Sequence, residues 1–585
     1  MEVLPRRTSR RRVWLLAAGL GAGLGLLVVA AGVLPGCFRA GNSSGTGDPA
    51  IGPPWFADIT EESGLHFDHD AGPVESYFVP QIMGSGVALF DFDGDGRLGV
   101  YLIHNGGPKG KKNQLFRQTR DGKFVDISKG SGLDVAGFGM GVAIADVNND
   151  GRPDVLLTEY RGIRLFLNNG NGRFTDITKE AGLNHPLWAV CACFFDFNRD
   201  GWLDLAVTNY ASYDPAKQCE GVRLERDYCP PRQFEGQVTK LYQNLGGPAV
   251  RFKDVTLAAG LSRLTGRGMG VVAADFNDDG WPDLLVANDL QPNRLWINRR
   301  DGTFAEEGTR RGIAYNRMGV AEANMGIGIG DINGSRMPSV YITHLTEETN
   351  TLWVQGPRGE FQDKTAEANL TRTRWRATGF GVVMADFDND GAQDMAVANG
   401  RVNRGKPADE QTLGPYWCHY AERNQVFAGD GAGKFRDVSS DNPAVCGWSG
   451  ISRSIAFGDL DRDGGLDLIV TTIANRARVY RNIVRDRGHW LSIRATDPRL
   501  RRDAYGAEIT VSAGGRSWVN WINPNQGYLS SNAPVAHFGL GNIERIDSIQ
   551  VRWPDGDTAA ELFSFSDQRV DQAIVLERGK SQRSK

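Results

Sequence analysis

Short apolar runs separated by polar turn residues recur along most of this chain. Small and apolar stretches such as "GMGVAIAD" (139–146) or "GFGVVMAD" (379–386) lead into segments rich in Asp and Gly. After these come "DVLLT" (154–158), "DLLVA" (283–287) or "DLIVT" (467–471), then "RLFLN" (164–168) or "RLWIN" (294–298). Turns such as "NGNGRFTDIT" (169–178) or "RRDGTFAEEGT" (299–309) close the unit. Each unit therefore predicts four short β-strands.

The Asp-rich segments set the count. "DFDGDGRLG" starts at 91, "DVNNDGRPD" at 146, "DFNRDGWLD" at 196, "DFNDDGWPD" at 275, "DINGSRMPS" at 331, "DFDNDGAQD" at 386 and "DLDRDGGLD" at 459. Seven four-stranded units predict an all-β chain built on a seven-bladed β-propeller, followed by a small β-rich C-terminal domain. Fourth strands begin at Phe124, Phe174, Phe252, Phe304, Phe361 and Phe435, one fewer than the Asp segments. The remaining one is "FADIT" (56–60), so the N-terminal strand is expected to complete the blade built from about 452 to 484 and leave no free edge.

Five segments are complete in the form D-x-[DN]-x-D-G-x-x-D. Calcium takes six to eight oxygens, and side chains at positions 1, 3 and 5 of a sharp turn converge on one point. The candidate ligands are Asp91, Asp93 and Asp95; Asp146, Asn148, Asp150 and Asp154; Asp196, Asn198, Asp200 and Asp204; Asp275, Asn277, Asp279 and Asp283; Asp386, Asp388, Asp390 and Asp394; and Asp459, Asp461, Asp463 and Asp467. Gly99 removes the last carboxylate of the first segment. Ser335, Arg336 and Ser339 replace Asp, Gly and Asp in the fifth, which is expected to have lost its metal. These are not EF-hands, because position 12 is Leu or Val inside a strand rather than Glu between helices. Magnesium prefers fewer protein ligands and more water. The alternative is that Asp, Asn and Gly serve only as turn formers. If calcium binds, its role is structural, since carboxylates crowded in one turn repel unless a cation neutralises them.

Composition and charge narrow the functional classes. With 41% hydrophobic and 23% charged residues the 585-residue chain should fold, and 74 glycines suit many tight turns. A net charge of −4 gives no electrostatic case for nucleic-acid binding. Arg6, Arg7, Arg10, Arg11 and Arg12 precede an uncharged, mostly apolar run from Val13 to Pro35, which predicts export. "SRRRVW" (9–14) resembles a twin-arginine signal and "LPGC" (34–37) a lipobox, so cleavage, lipidation at Cys37 and a retained anchor all stay open. The domains expected are a leader (1–37), a linker (38–54), the propeller (55–484) and the C-terminal domain (485–578). The product is placed outside the cytoplasm, touching a membrane only through its N-terminal segment.

Export favours disulfides. Two large insertions, about 209–239 and 399–424, fall between second and third strands and so on the face opposite the Asp loops. Cys219 with Cys229 and Cys418 with Cys446 are the expected pairs, whereas Cys191 and Cys193 align with small inner-strand residues. "GFGMGVA" (137–143) and "GIGIG" (326–330) lack the strand–helix context of a nucleotide loop. His66 and His69 are read as structural.

The alternating small residues and Asp loops resemble the FG-GAP (VCBS) repeats of integrin alpha-chain propellers. "RRDAYGAEITV" (501–511), "NQGYLSSNAPVAHFGLG" (525–541) and "IDSIQVRWPDG" (546–556) look like the ASPIC/UnbV domain, which follows such repeats in secreted proteins similar to cartilage acidic protein. The resemblance covers about 55–575 and implies extracellular calcium binding with adhesion or matrix roles. It supplies no defined ligand. The leading expectation is a binding, adhesion or scaffold module whose partner is an extracellular protein or glycan, engaged on the insertion face. A polysaccharide lyase or hydrolase is the alternative. It would need a converging set on that face, for which Glu225, Asp227 and Tyr228 are candidates. In a third reading the propeller only presents the C-terminal domain.

Overall fold

The computed structural model describes residues 52–221, 225–247, 249–555, 560–563 and 569–580. The basic leader, its apolar run and Cys37 lie outside the described residues, and the described ones contain no helix long and apolar enough to cross a membrane.

Among the described residues, seven four-stranded antiparallel units form the propeller, the first extended by a parallel fifth strand from the C-terminal region. The first comprises Val87–Phe90, Gly99–Leu102, Gln114–Gln118 and Phe124–Asp126. The last comprises Ser452–Gly458, Asp467–Thr472 and Arg478–Asn482, and is completed by Phe56–Asp58, whose Phe56 lies opposite Asn482. First strands pack side by side in cyclic order, from Val87–Phe90 through Gly139–Ala145 and its successors to Ser452–Gly458, which returns to Val87–Phe90. Small residues are needed where these strands crowd the axis. A Cβ on Gly141 would lie 2.9 Å from the Leu529 Cα, which is backbone that cannot step aside.

A repeated hydrogen bond ties each blade to its predecessor. The side-chain amides ending the third strands donate to the carbonyl at loop position 2 of the preceding blade. These bonds run from Asn168 to Phe92 (2.9 Å), Asn244 to Val147 (2.9 Å), Asn298 to Phe197 (2.8 Å) and Gln355 to Phe276 (2.8 Å). Asn482 reaches Phe387 (2.7 Å) and Gln118 reaches Leu460 (2.8 Å), which closes the circle between the last blade and the first. In the sixth blade the third strand ends at Gly429, and the backbone N–H of Gly433 makes the equivalent bond to Ile332. Satisfying these buried carbonyls is worth on the order of 1 kcal/mol each.

The C-terminal region adds two sheets. One contains His489–Asp497, Ala536–Gly541, Arg502–Asp503 and the parallel Gln572–Glu577; the other contains Glu508–Ala513, Arg516–Trp521, Ser548–Arg552 and Glu561–Phe563. Their apolar faces (Leu491, Ile493, Ile509, Val511, Phe538, Val551) share one core with Ala143, Val147, Leu156 and Leu205 of the second and third blades.

Between these sheets the segment 523–533 runs into the propeller axis. Ser530–Ser531 pairs in parallel with Val87 and Ala88, and Gly527 exchanges backbone hydrogen bonds with Ile327. Leu529 donates its N–H to the Cys191 thiol, Asn523 donates to the Ala273 carbonyl, and Asn532 accepts from the Phe457 N–H. Tyr528, fully buried, packs on Phe380 and donates to the Met83 carbonyl at 3.3 Å. The short helix Val79–Met83 fills the axis from the insertion side, and every one of its residues is buried. Arg453, also fully buried, donates to the carbonyls of Ile82, Gly400, Ser452 and Arg401 and stacks over Phe380. The propeller axis is therefore packed with protein from both sides. Removing the C-terminal region would uncover these inner strands, so it is not a separable passenger.

Candidate metal centres and the insertion face

Each Asp loop is built on its first carboxylate. Asp146 accepts the N–H groups of Asp150 (3.1 Å) and Gly151 (2.7 Å), and Asp196, Asp275, Asp386 and Asp459 do the same at positions 5 and 6. Asp331 folds its degenerate loop in this way too, accepting from Ser335 and Arg336, with Arg336 held at φ 65° where the other loops have Gly. One carboxylate, with Asn333 and Ser335, thus suffices for the turn. The carboxylates at position 5 of the complete loops, and at position 3 of the loops at Asp386 and Asp459, are replaced in this loop by Ser335 and Asn333 without loss of the turn.

Position 9 does a second job. Asp154 accepts the N–H of Val147 (3.0 Å) and of Asn168 (2.8 Å), so it clamps its own loop to the strand whose end residue holds the preceding blade. Asp204, Asp283, Asp394 and Asp467 repeat this clamp and are nearly inaccessible. Gly99 cannot make it. A Cβ there would lie 2.1 Å from the Phe92 ring, so an aromatic side chain takes up the space instead.

Arginines divide the loops into two kinds. In the first, Asp93 is held bidentately by Arg117 (2.6 and 3.2 Å) and Asp95 pairs with Arg97. Asp150 pairs with Arg152, Asp279 with Arg300 (3.1 Å), Asp461 with Arg481 (3.2 Å) and Asp463 with Arg487 (2.7 Å). Among the described residues no such pair forms on the loops at Asp196 and Asp386. Carboxylate oxygens of Asp386, Asp388 and Asp394 lie within 4.8 Å of one another, as do those of Asp459, Asp461 and Asp463. Burial pushes Asp146, Asp196, Asp388 and Asp459 up to about 6, and Asp386 and Asp394 well above the usual carboxylate range, with neighbouring carboxylates adding to the rise. Hard oxygen donors gathered in a desolvated turn fit calcium.

The C-terminal region roofs this face, reading residues the motif leaves variable. Position 4, held at positive φ in Asn149, Arg199, Asp278, Asn389 and Arg462, points at it in several loops. Asn149 accepts from Arg502 (2.9 Å), Asp278 from Arg552 (2.9 Å), and the Asn389 amide oxygen meets the His537 ring at 2.8 Å. A Cβ on Gly539 would fall 2.0 Å from Asp386 Oδ2, so the roof closes tightly over that loop. The positive φ favoured at position 4 was visible in the Asn and Asp found there, but nothing in the motif pointed to the docking partner.

On the opposite side the two insertions lock together. Asp227, buried, accepts from the Tyr420 hydroxyl (2.8 Å), the Tyr228 N–H (2.8 Å) and the Arg404 N–H (2.8 Å) of the second insertion. Tyr416 donates to Tyr228 and Tyr228 to Gln81. Glu225 is exposed and pairs with Arg404 at 3.4 Å. The set Glu225, Asp227 and Tyr228 therefore does not converge on an open groove; its two buried members are consumed in structural hydrogen bonds.

Cys219 and Cys229 form a disulfide in the first insertion. The pair Cys418–Cys446 is not formed, and both thiols are free and buried. Cys418 ends the helix Glu410–Trp417 among the aromatic residues of the insertions, whereas Cys446 ends Pro443–Cys446 and packs near the closing strand with Phe56 and Val438. Distinct hydrophobic clusters hold them apart. Cys191 and Cys193 lie buried in the inner strand Ala189–Phe195. His66 is exposed and His69 buried, so they do not form a metal pair.

The propeller is similar to FG-GAP-like repeats and the C-terminal region to an ASPIC and UnbV domain: the FG-GAP-like repeat model matches residues 91–157, 146–207, 275–342 and 416–470, and the ASPIC and UnbV model matches 497–583. The chain is homologous to cartilage acidic protein 1, at 26% identity over 322 residues to the Xenopus tropicalis protein and 26% over 321 residues to that of Homo sapiens. The alignments cover 54% and 52% of this chain and 45% and 43% of those proteins, so the chain spans about half the length of the curated relatives it matches. Among solved structures, YCF48 bound to D1 peptide aligns with a TM-score of 0.39 at 8% identity, covering 75% of this chain and 99% of that one.

Proposed function

We propose that this protein is an exported, calcium-stabilised binding or scaffold module that engages an extracellular protein or glycan through its insertion face, and that it is not an enzyme. The observation carrying this reading is the asymmetry of the propeller. Its Asp-loop face is roofed and its axis filled, while the opposite face bears two insertions braced by Asp227 and a disulfide. Rigid loops on a rigid scaffold are where recognition resides. The disulfide is in keeping with an oxidising compartment.

In this reading calcium would be held by Asp146, Asn148, Asp150 and Asp154, by Asp196, Asn198, Asp200 and Asp204, by Asp275, Asn277, Asp279 and Asp283, by Asp386, Asp388, Asp390 and Asp394, and by Asp459, Asp461, Asp463 and Asp467. Bound there, it supplies positive charge to carboxylates that burial otherwise destabilises. At free calcium ten times the dissociation constant, each site adds about 1.4 kcal/mol. The residues at position 9 clamp the loops, and those at position 4 carry the roof.

The test is glycan and extracellular-matrix protein arrays probed with the mature chain and with a variant whose residues 213–233 are replaced by a short turn. The variant loses the Asp227 brace and should melt lower than the parent; binding lost in it at a temperature where it is still folded is the expected result. Binding that persists in the variant contradicts the placement on this face.

A further inference from the structure

A cavity of about 330 Å³ lies between the third and fourth blades and the C-terminal region, on the side of the propeller away from the insertions. Three tryptophans line it: Trp281 follows the fourth Asp loop's glycine, Trp521 ends the strand Arg516–Trp521, and Trp553 follows the strand Ser548–Arg552 of the same sheet. Its size falls at the low end of small-molecule sites, roughly 300–1,000 Å³, and suits a mono- or disaccharide rather than a polymer.

Two features of the polar lining stand out. Arg552 bridges Asp278 (2.9 Å) and Glu508, so the carboxylates on one wall are oriented and retain free lone pairs. Arg199 is different. Its guanidinium stacks 3.9 Å from the centre of the Trp281 ring, and its buried Nε and Nη2 meet no acceptor among the described residues. A desolvated guanidinium edge with two unspent donors matches one group best, an oxyanion bound side-on. Indole faces match the C–H face of a pyranose ring, while oriented carboxylates accept its hydroxyls.

We infer that this cavity is a binding site for a small acidic sugar, a uronic acid or a uronate-ended disaccharide, with its carboxylate on Arg199, its ring against the indoles, and its hydroxyls on Asp278 and Glu508. The site does not depend on the insertion face, and a chain lacking residues 213–233 should keep it.

The test uses the calcium-loaded chain and reads tryptophan fluorescence together with calorimetry for D-galacturonate, D-glucuronate, galactose, glucose, acetate and inorganic phosphate. Saturable binding of at least one uronate is expected, ten-fold or more tighter than its neutral parent sugar or acetate. Arg199→Gln and Trp521→Ala should each weaken it ten-fold or more, with melting of the Arg199→Gln protein lowered only slightly, since that side chain loses its stack on Trp281 but no protein hydrogen bond. If Arg199→Gln does not fold, Arg199→Lys keeps the charge without the fork and should still weaken binding. Acetate or phosphate binding as tightly as the uronates would overturn the sugar assignment. Uronate binding untouched by both substitutions would overturn the location. No saturable response up to about 10 mM, a regime weaker than roughly −3 kcal/mol, would overturn the proposal as a whole.

Discussion

Leu529→Ala should destabilise the entire chain rather than its C-terminal region alone. Leu529 is 2% exposed at the propeller axis, packed in the same cluster as Ile82, Met83, Met140 and Val190. Its backbone sits at φ 56°, a cost that Ala shares, so the comparison reads burial and not strain. Leu-to-Ala changes in cores cost about 2–5 kcal/mol, with the higher values where the site cannot collapse. Here the neighbouring walls are backbone: a Cβ on Gly86 would lie 2.8 Å from the Leu529 carbonyl oxygen, and Gly141 is equally close. The upper half of the range, about 3–5 kcal/mol, is therefore expected. In a cooperative unit larger than 250 residues this lowers melting by roughly 1–2 °C per kcal/mol, or about 3–10 °C. Differential scanning calorimetry is the assay, with Val575→Ala, at an exposed position of the same domain, as a control expected within about 0.5 kcal/mol of the parent. One transition that shifts as a whole is expected. Two transitions, with the larger unmoved by Leu529→Ala, would refute the seating of this segment in the axis.

Calcium affinity should fall on acidification in a window where ordinary carboxylates do not titrate. Asp146, Asp196 and Asp459 are raised from 3.8 to about 6 by burial, so in the metal-free fold their charged forms are destabilising above about pH 6, and protons relieve this as pH falls toward the unfolded value. Calcium must displace those protons, and titration with a chromophoric chelator should show an apparent dissociation constant per site about ten-fold weaker at pH 5 than at pH 7; a flat profile would contradict the desolvated geometry. Asn298→Ala removes the amide that satisfies the Phe197 and Pro282 carbonyls, and urea unfolding should register a loss of about 1–3 kcal/mol. Asp227→Asn leaves Tyr420 and the Arg404 N–H facing an amide, and should cost about 1–3 kcal/mol in urea unfolding while loosening the second insertion to proteolysis.

The Asp loops were legible because turn chemistry and metal chemistry both write themselves in local spacing, and the strands around them because small inner residues alternate with outer Phe at a fixed offset. The closing strand at Phe56 followed from counting fourth strands, since a ring requires one for every blade. The inter-blade brackets were half visible: the Asn ending "RLFLN" and "RLWIN" recurs, but only the structure shows that its amide reaches the neighbouring loop. The axial segment 523–533 left no mark as an inner element, because "NPNQGYLSSNA" reads as a loop and its partners are spread over several blades. Cys418 and Cys446 share a face in the chain's order, yet radial distance from the axis, which strand counting does not register, separates them.

Calorimetric titration of the metal-stripped mature chain with calcium, with melting recorded before and after chelation, addresses the central claim most directly. Binding is expected at the five loops that carry the complete motif, tightest at Asp196 and Asp386, where no arginine forms an ion pair with the loop carboxylates among the described residues, with a large fall in melting temperature on chelation. No heat of binding, with melting unchanged by chelator, would mean that the surplus carboxylates serve the turns alone and would contradict it.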